Sequence, residues 1–416
     1  MTVENPLDWV ANPNPSLGES IESLDAILPV GALEAARDFH RQMPGYRYSP
    51  LKGLSGLAAM LGLGGLWVKD EAERLSLSSF KVLGGSFAIY KFLEKRLGRE
   101  DQKLTFAELT SSAMRDRMGE ITFATATDGN HGRGVAWAAT KLGQRSVVYV
   151  HSKTSSARVK AIEGHGARVE IIDGTYDDAV RKIDRDAKRN GWQVISDTSW
   201  DGYQEIPTWI MQGYTTSFSE AQEQMAAQGL VKPSHVFIQA GVGALAASCV
   251  GFYHRLFGDG APTCVVVEPS RAACLLESAR AGDGRARHFP GDLNTIMAGL
   301  ACGDPSPIAW DLLWDRADVF AAVPDYVAAK GMRVFGVPLG DDPAVISGES
   351  GAVTLGALMF IMESPEGAGL KRLLGLNRDS QVLLLNSEGN TDPDYFRRVV
   401  WEGVNPVPEE HRYRAV

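Results

Sequence analysis

The feature that most constrains the fold is a regular alternation of strand-like and helix-like segments between residues 120 and 196. Short apolar runs alternate with longer segments of helical periodicity, and glycines stand where these helices are expected to end. Strands and helices that alternate at this spacing predict βαβ units, and therefore a parallel sheet covered by helices. The predicted strands are 121–124, 146–150, 169–172 and 194–196, and the predicted helices are 130–142, 156–163 and 176–188.

The rest of the chain has similar elements in a less regular order. Its 416 residues exceed what one hydrophobic core usually serves, so we expect two domains. We expect 1–30 to be a polar arm on the surface and 98–119 to be an irregular surface insertion. Pro207 suits the first position of a long helix, and 283–306 is a long glycine-rich loop. Further strands are predicted at 66–70, 235–240, 263–268 and 381–385, and further helices at 33–42, 80–97, 207–227, 244–256, 308–314, 325–334, 351–362 and 370–374.

Composition and charge exclude several classes of function. The net charge of −9 makes a broad basic face for nucleic acid unexpected. There is no apolar run of about 18 residues and no signal-peptide layout, so we expect a cytoplasmic protein that does not bind membranes. None of the four cysteines forms a C-x-x-C pair, which argues against a metal site and fits a reducing compartment. Whether Cys274 and Cys302 pair is left open.

Lys81 stands in the stretch S-L-S-S-F-K-V-L-G-G-S-F-A, residues 76–88, at the start of an apolar helical run. By itself, a lysine at this place is most simply a solvated residue in the first turn of a helix. The alternative is a partly buried amine that forms a Schiff base with a carbonyl cofactor, because a desolvated lysine can lose its proton near neutral pH. Other stretches of the chain have to decide between the two.

Three loops, each of which follows a predicted strand, bear on that choice. The stretch T-D-G-N-H-G-R-G, 127–134, and the stretch Gly241-Val-Gly243-Ala-Leu can both offer backbone N–H groups to an anion at a helix N-terminus. The third, Asn386-Ser-Glu-Gly-Asn390, puts a serine hydroxyl at a strand end, where open α/β sheets bind ligands and where it can bond a neutral pyridine nitrogen. Each loop is also compatible with an ordinary capped turn.

A fourth stretch, Asp197-Thr-Ser-Trp200, combines a carboxylate and hydroxyls with an aromatic residue. This combination suits a small polar substrate. A capped surface turn explains the same residues.

In this order, the lysine, the G-N-H loop, the glycine loop and the serine loop resemble the fold-type II (tryptophan synthase β-like) enzymes that depend on pyridoxal 5'-phosphate. Longer runs resemble the diaminopropionate ammonia-lyases of that superfamily, among them A-T-D-G-N-H-G-R-G-V-A-W, D-T-S-W-D-G-Y, I-P-T-W-I-M-Q-G-Y, T-I-M-A-G-L-A-C-G-D-P and S-G-E-S-G-A. The resemblance implies an α/β fold with two domains, each with an open, twisted, mostly parallel sheet flanked by helices and with the cofactor in the cleft between them. It assigns 1–119 and 206–416 to a large cofactor-binding domain, 120–205 to a small domain, and the whole chain to a homodimer.

The resemblance also implies roles for single residues. Lys81 would carry the cofactor, Asn130 would contact its phenolic oxygen, and Ser387 would face its pyridine nitrogen. The phosphate would be bound by Gly241, Val242, Gly243, Ala244 and Leu245. A small amino acid would be bound by Thr127, Asp128, Gly129, His131 and Asp197.

Asp128 departs from the pattern of the related dehydratases, which commonly have serine at this place. A carboxylate beside the carboxylate of the substrate is unfavourable unless it has a task. It could attract a second ammonium group, or remove a proton from the face opposite Lys81. The implied reaction is therefore elimination of ammonia from L- or D-2,3-diaminopropionate to pyruvate, with Lys81, Asp128 and Asp197 as catalytic residues. Which of the three protonates the leaving ammonia is left open, and a serine or threonine dehydratase is the alternative function.

Overall fold

The computed structural model describes residues 6–14, 16–100, 102–127 and 129–412, which build two separate β-sheets with helices around them. The strands of the described residues are β1 Asp8–Ala11, β2 Leu51–Gly53, β3 Gly65–Asp70, β4 Thr122–Thr127, β5 Arg145–His151, β6 Arg168–Ile172, β7 Gln193–Val194, β8 His235–Gln239, β9 Thr263–Pro269, β10 Val319–Val323 and β11 Gln381–Asn386.

The α-helices of the same residues are α1 Glu22–Ile27, α2 Ala32–His40, α3 Ser55–Leu61, α4 Lys81–Arg96, α5 Phe106–Leu109, α6 Ser112–Met118, α7 Asn130–Lys141, α8 Ser156–Glu163, α9 Tyr176–Asn190, α10 Glu205–Ala226, α11 Ala244–Phe257, α12 Cys274–Ala281, α13 Pro307–Arg316, α14 Asp325–Gly336, α15 Glu349–Glu363, α16 Ala368–Leu374 and α17 Pro393–Val400.

The larger sheet has the strand order β1-β10-β9-β8-β11-β3-β2. Its five inner strands are parallel, and only the edge strands β1 and β2 pair antiparallel with their neighbours. Strands β8 and β10 are buried along their whole length, because helices cover both faces of the sheet. Such strands read in sequence as continuous apolar runs rather than as alternating patterns.

The smaller sheet has the order β6-β5-β4-β7, and all of its pairs are parallel. This confirms the prediction of βαβ units between 120 and 196. Helix α7 of this sheet packs closely on α4, the helix that begins with Lys81. Glycine at the contact makes this possible, because a Cβ at Gly134 would lie 2.9 Å from the Cα of Val82. The two helices therefore join the lysine to the loop that precedes α7.

Two expectations for irregular segments were wrong. Instead of an arm, 8–11 form β1, which pairs with β10, and α1 buries Leu24 and Ile27; residues 1–5 and 15 lie outside the described part of the chain. Residues 106–109 and 112–118 form two short helices whose apolar side chains pack on the core, although their charges suggested an irregular insertion. In both cases a few apolar residues anchor a segment that is polar on average.

The long helix α10 begins at Glu205, so Pro207 is its third residue and not its first. A proline is tolerated there because the first four N–H groups of a helix have no partner within it. Among the helices of the described residues, none has the length and apolar character needed to cross a membrane. The boundaries drawn at 119/120 and 205/206 remain a prediction, while the strands of the smaller sheet run from Thr122 to Val194.

Candidate active site

A cleft lies between the two sheets and collects most of the predicted site residues. The predicted residues that line it are Lys81, Thr127, Asn130, His131, Asp197, Gly241, Val242, Gly243, Ala244, Leu245 and Ser387. Gly129 is buried beside it, and its N–H donates to the Thr127 hydroxyl at 2.9 Å. Asp128 lies outside the described residues.

Lys81 is the first residue of α4, and its ammonium donates to a carboxylate oxygen of Asp197. The ammonium lies 5.5 Å from the ring centre of Phe80 and 5.9 Å from that of Tyr214, so its surroundings are partly apolar. The backbone before it is strained. Leu75, Ser76 and Ser78 have φ of 48°, 59° and 53°, a region that residues with a Cβ rarely adopt. This segment brings the lysine into the cleft rather than into solvent.

Asp197 is buried, and its second carboxylate oxygen accepts a hydrogen bond from the Tyr176 hydroxyl at 3.1 Å. Burial, the largest influence, would raise the pKa of Asp197, but the charges of Lys81 and His131 and both hydrogen bonds hold it below its ordinary value. Burial raises the pKa of Tyr176. At neutral pH the cleft therefore contains an ionised carboxylate beside the lysine and a neutral phenol.

The loop after β4 is turned by Thr127, whose hydroxyl also accepts from the N–H of Gly132 at 3.1 Å. Gly129 has φ of +148°, where a side chain would be strained, and a Cβ there would lie 3.0 Å from Arg158. His131 is buried and donates from Nε2 to the carbonyl of Ile195 at 2.8 Å. The loop is therefore held by its own polar side chains with its backbone close to the cleft.

The loop after β8 has the geometry of an anion site. Gly243 has φ of +99°, and α11 begins at the next residue with its N-terminus at the cleft. A Cβ at Gly241 would lie 3.0 Å from the Sγ of Cys302, so only glycine lets the backbone approach here. Free N–H groups at the N-terminus of a long helix suit a phosphate. All four cysteines are buried, and no disulfide joins Cys274 to Cys302.

The loop after β11 brings Ser387 to the cleft, next to Glu388. Both are buried, and Glu388 accepts a hydrogen bond from the side-chain amide of Asn130 at 2.6 Å. Next to them, the Glu349 carboxylate faces Arg158 at 3.6 Å. Burial raises the pKa of Glu349, the charge of Arg158 lowers it, and the charge of Glu388 raises it again, so that it lies at about 7.

The fourth predicted stretch contributes only its first residue to the cleft. The hydroxyl of Ser199 lies 2.9 Å from that of Ser306, and the indole of Trp200 stacks on Tyr203 with ring centres 4.1 Å apart. Neither side chain lines the cleft around Lys81. Trp200 therefore does not supply the aromatic surface expected beside Asp197, because its indole packs against its own turn.

Sequence reasoning missed Tyr176 and Glu388. Glu388 follows Ser387 directly, so the S-E-G-N loop did contain it, but a glutamate in a loop is usually solvated and offers no local signal. Tyr176 begins a helix one βα unit before Asp197, and only the fold brings their side chains together.

A second cluster of charges lies outside the cleft. Lys69 on β3 donates to the carbonyl of Ser49 at 2.7 Å, to Glu220 at 2.7 Å and to Gln224 at 2.8 Å. Glu220 also accepts from Arg74, with N–O distances of 2.8 and 2.7 Å. The Arg74 guanidinium also binds both oxygens of Glu71 at 2.8 Å. This cluster, Lys69–Glu71–Arg74–Glu220, is buried throughout and holds the segment that leads to Lys81.

These residues fit pyridoxal phosphate. A cleft-facing amine suits its aldehyde, the N-terminus of α11 suits its phosphate, and a buried hydroxyl at the end of β11 suits its ring nitrogen.

The chain matches the family model described as pyridoxal-phosphate dependent enzyme over residues 43–372. It is 46% identical over 373 residues to diaminopropionate ammonia-lyase of Escherichia coli strain K12, covering 89% of this chain and 92% of that one.

Two crystal structures of the Escherichia coli diaminopropionate ammonia lyase are similar to it at 42% identity. The complex with D-serine has a TM-score of 0.88 and covers 96% of this chain and 98% of that one. The complex with an aminoacrylate-PLP azomethine reaction intermediate has a TM-score of 0.87 and covers 97% and 98%.

Proposed function

Since the chain belongs to the pyridoxal-phosphate-dependent enzymes, and among them to the diaminopropionate ammonia-lyases, we propose that it converts 2,3-diaminopropionate to pyruvate and two molecules of ammonia. It is a carbon–nitrogen lyase of fold-type II that uses pyridoxal 5'-phosphate. The observation that carries the proposal is the pairing of Lys81 with the ionised carboxylate of Asp197 in a cleft with an anion site at α11.

In the proposed site, Lys81 holds the cofactor through its amine, Asn130 faces the phenolic oxygen, and Ser387 faces the ring nitrogen. The phosphate lies on the backbone of 241–245. Pyridoxal phosphate supplies an electron sink that makes the Cα proton of the bound amino acid removable. This assignment is supported by the position of all these residues on one cleft.

For the L isomer, the substrate amine would replace the Lys81 amine at the cofactor, and we assign the Cα proton to the released, uncharged Lys81 amine. The electron pair of the former Cα–H bond then forms the Cα–Cβ double bond while the bond from Cβ to the β-nitrogen breaks. The proton on Lys81 passes to the leaving nitrogen. The low pKa of Asp197 argues against that residue as the proton donor, because it has no proton to give at neutral pH. Its carboxylate can instead accept a hydrogen bond from the β-amino group of the substrate, which is the neutral amine that receives the proton from Lys81. Hydrolysis of the 2-aminoacrylate product gives pyruvate and the second ammonia.

For the D isomer, the Cα proton lies on the opposite face, and Asp128 is the proposed base. This assignment rests on the sequence alone. The binding of D-serine by the Escherichia coli relative is consistent with a site that accepts D amino acids. Thr127, Gly129 and His131 would bind the substrate beside it.

We further propose that the enzyme acts as a homodimer in the cytoplasm. Four buried cysteines that form no disulfide fit a reducing compartment, and size-exclusion chromatography with light scattering tests the dimer.

Product stoichiometry and substrate preference test the proposed reaction. Purified protein with pyridoxal phosphate is given L- and D-diaminopropionate and, separately, L- and D-serine, and pyruvate and ammonia are measured. The proposal requires two ammonia per pyruvate from diaminopropionate and a lower kcat/KM for serine. A preference for serine, with one ammonia per pyruvate, would identify a dehydratase instead. A protein that binds the cofactor but releases no ammonia from either substrate would not be this enzyme.

A further inference from the structure

Glu388 is a buried carboxylate in the wall of the cleft for which the proposed reaction has no use. It is only 2% exposed. One of its carboxylate oxygens accepts from the backbone N–H of Ser350 at 3.2 Å, and the other accepts from the Thr391 hydroxyl at 3.3 Å and from the Asn130 amide at 2.6 Å. Its place is closely packed, because a Cβ at Gly348 would lie 2.8 Å from the carboxylate.

A carboxylate determines which way a neighbouring amide faces. In the structure the nitrogen of the Asn130 amide, and not its oxygen, points at Glu388, because the carboxylate oxygen accepts this hydrogen bond and an amide donates only through its nitrogen. That nitrogen carries two hydrogens, and Glu388 takes one of them. Asn130 is the first residue of α7 and lies on the cleft, so its second N–H is available there.

The contact also crosses from one sheet to the other. Asn130 follows β4 of the smaller sheet, whereas Glu388 follows β11 of the larger one. The N-terminus of α15 helps to hold the carboxylate, because Ser350 is in its first turn and helix N-termini favour negative charge. The orientation of Asn130 is thus set by a residue of the opposite wall.

We propose that Glu388 is a positioning residue that aims an N–H of Asn130 at the phenolic oxygen of pyridoxal phosphate. The inference rests on the proposed function, because Asn130 must first be the residue that faces that oxygen. Without Glu388 the amide can rotate and present its carbonyl oxygen, which would repel the phenolic oxygen.

The first test is Glu388→Gln with Asn130→Ala as the reference. The apoenzyme of each variant is titrated with pyridoxal phosphate, and the dissociation constant and visible absorbance spectrum are measured. We expect each single variant to bind the cofactor about tenfold more weakly, the cost of one hydrogen bond to a charged group, with an altered spectrum. The double variant should bind no worse than Asn130→Ala, because Glu388 acts through Asn130.

Glu349→Gln is the matched control. Glu349 is an equally buried carboxylate of the same wall, but its described partner is Arg158 and not Asn130. It should leave the dissociation constant and the spectrum unchanged. Additive effects of Glu388→Gln and Asn130→Ala, or equal effects of Glu388→Gln and Glu349→Gln, would overturn the inference.

A donor–acceptor exchange separates positioning from stability. Asn130→Asp alone places two carboxylates face to face and should lower the melting temperature. Combined with Glu388→Gln, the hydrogen bond is rebuilt in reverse, but residue 130 then offers only oxygen to the cleft. We expect the double variant to regain its melting temperature and not its cofactor affinity or spectrum. Recovery of all three would show a merely structural role and reject the inference.

These results separate the inference from the function it rests on. If the unmodified protein gives no visible band with pyridoxal phosphate, the proposed function fails. If it gives the band and Glu388→Gln matches it in affinity and spectrum, only the inference fails. If Glu388→Gln alone does not fold, the melting temperatures and cofactor titrations of Asn130→Asp and of the double variant Asn130→Asp with Glu388→Gln decide whether Glu388 positions Asn130.

Discussion

Two lysines at either end of one short segment, Lys69 and Lys81, show how similar ion pairs serve different purposes. Both bond to a carboxylate from a distant part of the chain, Glu220 and Asp197. Lys69 is 1% exposed and gives its three N–H groups to three protein acceptors, so it has none left for a ligand. Lys81 is 17% exposed and faces the cleft.

The carboxylates differ in the same way. Glu220 lies between two cations, Lys69 and Arg74, inside the cluster. Asp197 is hydrogen-bonded to the Lys81 ammonium and to the neutral hydroxyl of Tyr176. When the Lys81 amine reacts, the Asp197 carboxylate therefore loses the cation that balances its charge. A buried carboxylate whose cationic partners are fixed, such as Glu220, stabilises the structure. A buried carboxylate whose one cationic partner can react, such as Asp197, belongs to a reactive site. The cluster holds the strained segment 75–78 that carries the reactive lysine.

The largest expected effect is that of Lys81→Ala. Removing the amine should abolish the visible absorbance of the bound cofactor and lower kcat/KM for diaminopropionate by a factor of about 10⁴ or more. The apoenzyme should stay folded and lose less melting temperature than the Lys69→Met variant, because Lys81 is less buried than Lys69. Absorbance spectra and steady-state kinetics measure this, and a variant that keeps both the band and turnover would remove Lys81 from its role.

Lys69→Met should show the opposite signature. It removes one of the two cations beside the buried Glu220 carboxylate, which keeps Arg74 and its hydrogen bonds from Tyr46 and Ser49, and we expect this loss to cost about 3–5 kcal/mol of unfolding free energy. The fraction that stays folded should keep the visible band. Chemical denaturation measures the loss, and Lys95→Met, which breaks an exposed pair with Glu205, should not change stability measurably. A stable Lys69→Met protein without the band would mean that the cluster belongs to the active site.

Asp128→Asn should be smaller and selective. If Asp128 is the base for the D isomer, kcat for D-diaminopropionate should fall about 100-fold further than kcat for the L isomer. Parallel kinetics on the two isomers measure the ratio. Equal losses on both would leave Asp128 as a binding group, in the same class as Asp197.

Glu349→Gln tests a carboxylate that belongs to neither class. Its pKa is raised to about 7 in the folded state from an ordinary value of 4.5, so the folded protein binds the proton more tightly than the unfolded chain. Stability from this group is present below pH 4.5 and is lost as the pH rises to about 7. Removing it should flatten the decline of the melting temperature over that range by about 2 °C. An unchanged pH profile would show that Glu349 is ionised throughout.

Much of this site could be predicted because its residues stand in loops with local signals. Lys81 is a charged residue at the start of an otherwise apolar helix. The loops at 127–134 and 241–245 join a strand to a helix, and the loop at 386–390 follows the last strand. Parallel strands place such loops at the same edge of a sheet. The cleft therefore followed from the alternation of elements together with the resemblance.

The site residues and elements that the sequence did not predict depend on contacts between residues that are distant in the chain. Tyr176 meets Asp197 only through the folding of the smaller sheet and its helices, and Glu388 meets Asn130 only through the packing of one sheet against the other. A buried lysine such as Lys69 looks like a surface lysine in sequence until its acceptors are known. The edge strand β1 was missed because it is short and lies in a polar segment, and its partner β10 is at the far end of the chain.

That edge strand has a consequence for making and handling the protein. β1 is added antiparallel to β10, a strand of sequence V-F-A-A-V that is buried along its length. An uncovered apolar edge is a template for pairing with another molecule. During synthesis the first residues must wait for β10 to emerge, and a truncation that removes 8–11 would leave that edge open permanently. Shortening the N-terminus is therefore expected to promote aggregation before it affects the chemistry.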